Sequence, residues 1–104
     1  TTIHQGSVVY NRREVTSTQD IQATDHFVCI NASGDLDVKL PLASTLQPGQ
    51  VFMIKDEGGT SDVHVVKITT QTGNTIEGLD EVRLRFPGAL IEVYTDGVDR
   101  FHTM

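Results

Sequence analysis

The sequence predicts an all-β fold, a single-domain sandwich or small barrel of about 7–9 short strands. The chain has 104 residues, which is the size of one domain. Valine and threonine are abundant, with 12 and 13 residues, and β-branched side chains favour pleated, half-buried surfaces. Turn signals recur at intervals of about 8–12 residues, which is typical of small all-β domains.

The charge balance argues against two classes of partner. Eight Lys and Arg residues stand against 14 Asp and Glu residues, so the formal net charge is −6 at pH 7. Binding to nucleic acid or to an anionic membrane surface is driven by basic residues. No apolar stretch approaches the roughly 18 residues that a membrane-spanning helix requires. We therefore expect neither nucleic-acid binding nor membrane insertion.

The first strands of the chain follow a polar segment. Residues 1–24 are expected to form a polar N-terminal arm or hairpin, and residues 25–104 a β-rich domain. Within this domain, residues 26–31 are aromatic and β-branched, and a turn-forming cluster follows at 31–35. Apolar and charged residues then alternate from Asp35 to Leu40, which predicts a strand with one solvated face.

Proline and glycine divide the middle of the chain. Pro41 ends the alternating strand, and at most one short helical turn is expected near residues 42–47. Pro48 and Gly49 then bend the chain. The next segment, Val51–Ile54, is wholly apolar, so we expect a strand buried on both faces.

Further strands are expected in the second half, again separated by Gly- and Asp-containing turns. The expected extended segments are 62–71, 75–77, 82–86, 90–95 and 100–103.

Motifs that carry catalysis or bind cofactors are missing from the sequence. The four histidines are far apart and never have the HExxH spacing of a zinc site, and no G-x-S-x-G or phosphate-binding loop occurs. Cys29 lies within an apolar run and is expected to be a buried, unreactive thiol. We therefore assign no catalytic, cofactor-binding or metal-ligating residue.

Three groups of polar or aromatic residues leave alternatives open. The loop 56–62 carries three carboxylates and is a candidate calcium loop, although it does not match an EF-hand. Asp35 and Asp37 project to one face, where Arg83 and Arg85 are possible partners within the chain or across a subunit contact. The aromatic residues are candidates for stacking on a sugar or for the core or an interface: Tyr10, Tyr94 and Phe101.

The order of these motifs, over roughly residues 25–103, resembles the small β-rich domain of tail fibres, tailspikes and related virion proteins of tailed bacteriophages. The resemblance lies in a Leu-Pro strand end, a Pro-Gly bend, an Ile-Glu-Gly step and an Asp-Gly turn followed by an aromatic residue. The residues that carry it are Leu40, Pro41, Pro48, Gly49, Ile76, Gly78, Asp96, Gly97 and Phe101. The family often has Trp where Phe101 stands here. Residues 1–24 lie outside the match.

The resemblance implies a non-enzymatic structural protein of a phage virion, generally a homotrimer, whose residues serve packing and assembly rather than catalysis. It would act as a connector, a cap or a receptor-facing module of a tail fibre or tailspike, in contact with other virion proteins. A capsid decoration protein is the first alternative. A carbohydrate-binding module, with a host surface glycan as partner, is the second.

Overall fold

The computed structural model describes residues 11–61 and 63–103, which form a two-layer β-sandwich. Within these ranges the chain has ten strands in two sheets and a single 3-10 turn at Ala43–Thr45. This confirms the all-β sandwich and the short turn, with one strand more than the upper number expected. The strands are β1 Arg12–Val15, β2 Gln19–Asp20, β3 Phe27–Ile30, β4 Leu36–Lys39, β5 Val51–Asp56, β6 Val66–Thr69, β7 Thr75–Ile76, β8 Glu81–Leu84, β9 Leu90–Thr95 and β10 Arg100–Thr103.

The first nine strands alternate between the two sheets. The six-stranded sheet has the order β1-β3-β5-β9-β10-β7, and the four-stranded sheet has the order β2-β4-β6-β8. Neighbouring strands β1, β3 and β5 are parallel, as are β2, β4 and β6. Because each parallel connection needs a crossover, the chain makes that crossover through the opposite sheet. Strands β8 and β9 then pair in the antiparallel sense with β6 and β5, and β10 and β7 continue the six-stranded sheet beyond β9.

The N-terminal part that the structure describes belongs to both sheets. Strand β1 pairs with β3 in the six-stranded sheet, and β2 pairs with β4 in the four-stranded sheet, so the two are not partners in a hairpin. The guanidinium of Arg13 fixes the segment between them. It donates to Gln19 Oε1 at 2.9 Å and to the backbone oxygen of Asp20 at 2.8 Å, and lies 2.9 Å from the buried carboxylate of Asp25. Residues 1–10 of the expected arm lie outside the described residues.

The core lies between the sheets and is built from alternate residues of each strand. In β4 the burial pattern follows the predicted alternation, with Leu36 and Val38 inside and Asp37 and Lys39 outside. The fully buried side chains come from both sheets, and the largest are Phe52, Phe101, Ile30, Leu40, Ile54, Ile68 and Ile76. Such interdigitation of two inner faces provides most of the apolar burial of a sandwich.

The expectation that β5 is buried on both faces is wrong for this chain taken by itself. Phe52 and Ile54 are buried between the sheets, whereas Val51 and Met53 point to the outer face and are only half-buried. The reason is that every described strand belongs to one of the two sheets, so no described third layer covers this side of β5. None of the helical structure in the described ranges is long and apolar enough to cross a membrane.

Replacement of a core aromatic residue tests this packing. We expect Phe101→Ala to lower the free energy of unfolding by about 3–5 kcal/mol, because the ring is fully buried and its removal leaves a cavity. Phe86 is 64% exposed, so Phe86→Ala provides a matched control that should change stability by less than about 0.5 kcal/mol. Urea unfolding followed by circular dichroism measures both. Equal losses of unfolding free energy for the two variants would contradict the placement of Phe101 in the core.

Candidate functional site

Four of the nine residues that carry the resemblance meet at one end of the sandwich. The backbone N–H of Gly49 donates to the backbone oxygen of Thr95 at 2.8 Å, which joins the Pro-Gly bend to the end of β9. Gly97 follows in the β9–β10 turn with φ of +78°, and a Cβ at this position would lie 2.9 Å from Cγ of Pro48. A side chain at position 97 would therefore face both backbone strain and a clash with the proline ring.

Asp96 organises the same turn. Its Oδ1 accepts hydrogen bonds from three backbone N–H groups, at 2.8 Å from Val98 and at 3.1 Å from both Asp99 and Arg100. These bonds, first of all those from Val98 and Arg100, lower the pKa of the Asp96 carboxyl. The Asp-Gly pair thus fixes the turn before β10, which then carries Phe101 into the core.

The remaining residues that carry the resemblance lie in the core or in turns. Leu40 and Ile76 are fully buried, and Pro41 follows β4. Gly78 has φ of +81° and follows Glu77, whose φ is +51°, in a two-residue turn closed by mutual backbone hydrogen bonds between Ile76 and Leu79. Both central residues of this turn are left-handed, which is the geometry that favours glycine.

The loop after β5 is held by the carboxylate of Asp56. Its two oxygens each accept a backbone hydrogen bond at 3.0 Å, one from Gly59 and one from Ser61. Burial of Asp56 opposes its ionisation, but hydrogen bonds from Ser61, Thr60 and Gly59 outweigh that effect and lower the pKa of the carboxyl. Both oxygens are therefore engaged by the loop itself.

The calcium hypothesis for loop 56–62 rested on three carboxylates. Asp56 binds the loop backbone, Glu57 forms an ion pair with Arg12, and Asp62 lies outside the described residues. In the described part of the chain, no group of three or more His, Cys, Asp or Glu side chains is placed to hold a metal ion.

A cluster on the outer side of β1 and β3 joins Arg12, Cys29 and Glu57. Arg12 donates to both carboxylate oxygens of Glu57, and the resulting hydrogen bond, with a weaker one from the Cys29 thiol, lowers the pKa of Glu57 to about 2. Cys29 is fully buried, and burial, followed by its hydrogen bond to Glu57, raises the pKa of the thiol to about 11. A reactive cysteine needs a lowered pKa and exposure to solvent, and Cys29 has neither property.

Sequence reasoning did not find this cluster. Arg12 and Glu57 are 45 positions apart, and no motif links them. They meet because β1 and β5 both pair with β3 in parallel and Glu57 directly follows β5.

The outer face of the four-stranded sheet is charged and carries a shallow groove of about 320 Å³. Asp37, Lys67 and Arg83 lie level with one another on β4, β6 and β8, and Asp35 and Thr18 also line the groove. The structure therefore brings Asp35 and Asp37 to the same groove as Arg83, as the sequence suggested. Arg83 itself forms its ion pair with Glu81, at 3.2 Å.

The three aromatic residues considered for sugar stacking are not brought together. Phe101 is fully buried in the core, and Tyr10 lies outside the described residues. Tyr94 is 37% exposed and lies on the outer face of the six-stranded sheet. Its ring lies against that of His102, with a centroid distance of 5.3 Å.

The outer face of the six-stranded sheet differs from that of its partner. The strand register places Phe27 of β3 beside Met53 of β5, and Val51 of β5 beside Tyr94 of β9. Leu90 lies at the start of β9 on the same face and is 45% exposed. The same register places Glu92 opposite Met53 and Lys55 opposite Leu90, so charged side chains interrupt the apolar residues of this face.

Comparisons with known proteins give no assignment. No family model matches the sequence, and no curated protein matches it.

Replacement of Asp56 tests its role in the loop. We expect Asp56→Asn to lower the free energy of unfolding by about 1–3 kcal/mol at neutral pH, because the amide can accept at only one of the two positions. Since the pKa of Asp56 is lowered in the folded state, its ionised form stabilises the protein above the unfolded pKa of about 4, and this contribution is lost as pH falls further. The difference in free energy of unfolding between Asp56→Asn and the unmodified protein should therefore become smaller below about pH 4.

Asp80→Asn is the matched control, because Asp80 is exposed. This variant should unfold within about 0.5 kcal/mol of the unmodified protein at neutral pH. Urea titrations between pH 3 and pH 7 provide the measurement. If both variants lost the same free energy of unfolding, or if the loss for Asp56→Asn did not depend on pH, a specific role for the Asp56 carboxylate would be excluded.

The thiol of Cys29 provides a second test. We expect a thiol reagent at pH 8 to label the folded protein far more slowly than the urea-unfolded protein, because the sulfur is buried and its pKa is raised to about 11. Mass spectrometry of timed samples measures the labelled fraction. Equal rates in the two states would show that β3 is open to solvent in the native protein.

Proposed function

We propose that this protein is a non-enzymatic structural module of a tailed-bacteriophage virion that associates as a homotrimer. In this role it serves as a connector, a cap or a receptor-facing module of a tail fibre or tailspike and contacts other virion proteins. The order of motifs described above, from the Leu-Pro strand end to the Asp-Gly turn and Phe101, supports the assignment to this class.

The main support for a structural role is that several polar side chains are engaged in hydrogen bonds that hold the fold together. Asp56 and Asp96 hold turns through backbone N–H groups, and Asp25 is buried against Arg13. Cys29 and Glu57 belong to one hydrogen-bonded cluster. Carboxylates committed to the backbone in this way are poor candidates for acid–base chemistry, which needs a group within reach of a substrate.

A capsid decoration protein is the first alternative, because small trimeric β-rich domains suit that role as well. The second alternative, a carbohydrate-binding module, loses support from the burial of Phe101, which removes one of the three aromatic residues considered as sugar platforms. Tyr94 alone, already in contact with His102, is a small platform.

The solution mass tests the assembly part of the proposal. We expect light scattering to give a mass near three chains over a dilution series, unchanged by a chelator, because the proposed association uses packing rather than a metal ion. A monomer at every concentration would overturn the homotrimer. A mass that falls on chelation would point to a metal-dependent assembly instead.

The place of the protein in the particle is tested separately. We expect gold-labelled antibodies against the chain to mark the tail appendage of particles in electron micrographs. Label spread over the capsid surface would favour the decoration protein. Particles without label, together with binding of the isolated chain on a glycan array, would favour the carbohydrate-binding module.

A further inference from the structure

One segment of the chain supplies a terminal strand to each sheet. Among the described residues, β1 is the last strand at one edge of the six-stranded sheet, and β2 is the last strand at one edge of the four-stranded sheet. Both strands belong to residues 11–20, which are called the strap below. If the strap left the sandwich, the β1–β3 and β2–β4 pairs would be lost, and every other described strand pair would remain.

The strap contributes little to the core. Val15 is its only buried residue, and its other side chains are exposed or half-buried. By contrast, β3 buries Val28 and Ile30, and β5 buries Phe52 and Ile54. Segments with few buried apolar side chains are the ones that open locally at a lower free energy than the whole fold.

Arg13 makes the strap a single unit and ties it to the rest of the fold. Its guanidinium donates from β1 to Gln19 and Asp20 of β2, and so links the two strands of the strap. The same guanidinium lies 2.9 Å from the carboxylate of Asp25, which lies outside the strap and is only 4% exposed. Loss of this cation would leave a buried carboxylate without its charged partner, which is costly in the closed state.

The other side-chain contacts of the strap are weaker. Arg12 pairs with Glu57 at the surface, where 51% and 35% of the two side chains are exposed, and exposed ion pairs contribute little to stability. The hydroxyl of Thr18 accepts one hydrogen bond, from the backbone N–H of Asp37 at 3.1 Å. The pair between Arg13 and Asp25 is therefore the main polar contact that holds the strap closed.

We propose that the strap opens as one unit while the rest of the sandwich stays folded, with the Arg13–Asp25 ion pair as its latch. Opening returns the Asp25 carboxylate to water and uncovers the edges of β3 and β4. An uncovered strand edge can pair with another extended segment, so the strap controls access to one edge of each sheet. The device belongs to the single chain and operates whether or not copies associate.

Native-state hydrogen exchange tests whether the strap opens separately. The amides of Phe27 and Asn31 donate to backbone oxygens of the strap, whereas the amide of Asp56 donates to Ala89 between β5 and β9. We expect the protection factors of Phe27 and Asn31 to be at least ten-fold lower than that of Asp56, because opening of the strap exposes only the first two amides. Nuclear magnetic resonance measures each site, and equal protection at all three sites would overturn the inference.

A core substitution distinguishes opening of the strap from unfolding of the whole domain. Ile76 is fully buried in β7, at the opposite edge of the six-stranded sheet from β1. Its contacts remain intact when the strap opens. Ile76→Val should therefore lower the protection of the β5–β9 amides, such as that of Asp56, by about two-fold to ten-fold and leave Phe27 and Asn31 unchanged. Equal losses at all three sites would show that the strap leaves only on global unfolding, which overturns the inference.

The latch is tested by Arg13→Gln, with Arg83→Gln as the matched control. Arg13→Gln weakens the closed state relative to both the open strap and the unfolded chain, so protection at Phe27 and Asn31 should fall about ten-fold or more. Arg83 forms only an exposed pair with Glu81, and its substitution should change protection by less than about two-fold. Unchanged protection in Arg13→Gln would overturn the latch. If that variant does not fold, the comparison of sites in Ile76→Val still decides whether the strap opens separately.

Discussion

The fold depends on β5, the strand at which the parallel half of the six-stranded sheet meets its antiparallel half. On one side β5 pairs in parallel with β3, and on the other it pairs with β9 in the opposite direction. Its inward residues Phe52 and Ile54 occupy the centre of the core. Its last residue, Asp56, then organises the loop that carries the chain to the second sheet. Loss of pairing at this strand would separate both halves of the sheet and remove the largest inward side chains together.

The outward residues of the same strand connect the fold to its proposed role. In a two-layer sandwich a strand contributes alternate residues to the core, and the others face solvent or a partner. Val51 and Met53 are apolar where β4 has Asp37 and Lys39, so the outer faces of the two sheets differ in character at these strands. A small domain has a limited core of its own, and the proposed association of subunits would add further burial to it.

The sequence predicted the parts of the fold that depend on local chemistry. Alternation in β4, the 3-10 turn after Pro41 and the bounds of β9 and β10 follow from side-chain period and turn residues, which act within a few positions. The alternation of the chain between the two sheets was not predictable. It depends on pairs such as β1 with β3, which join segments that are not adjacent in the sequence. The Arg12, Cys29 and Glu57 cluster depends on that pairing and was missed for the same reason.

The misjudged burial of β5 is the most informative difference between sequence and structure. An apolar run such as Val51–Ile54 indicates that both faces of a strand avoid water, and the sequence pattern does not say which molecule provides the cover. The described chain covers only the face of Phe52 and Ile54. On the other face the register places Glu92 of β9 directly opposite Met53, so a run that is apolar along one strand lies beside a charge on the next strand, and a pattern read along a single strand does not show such a neighbour.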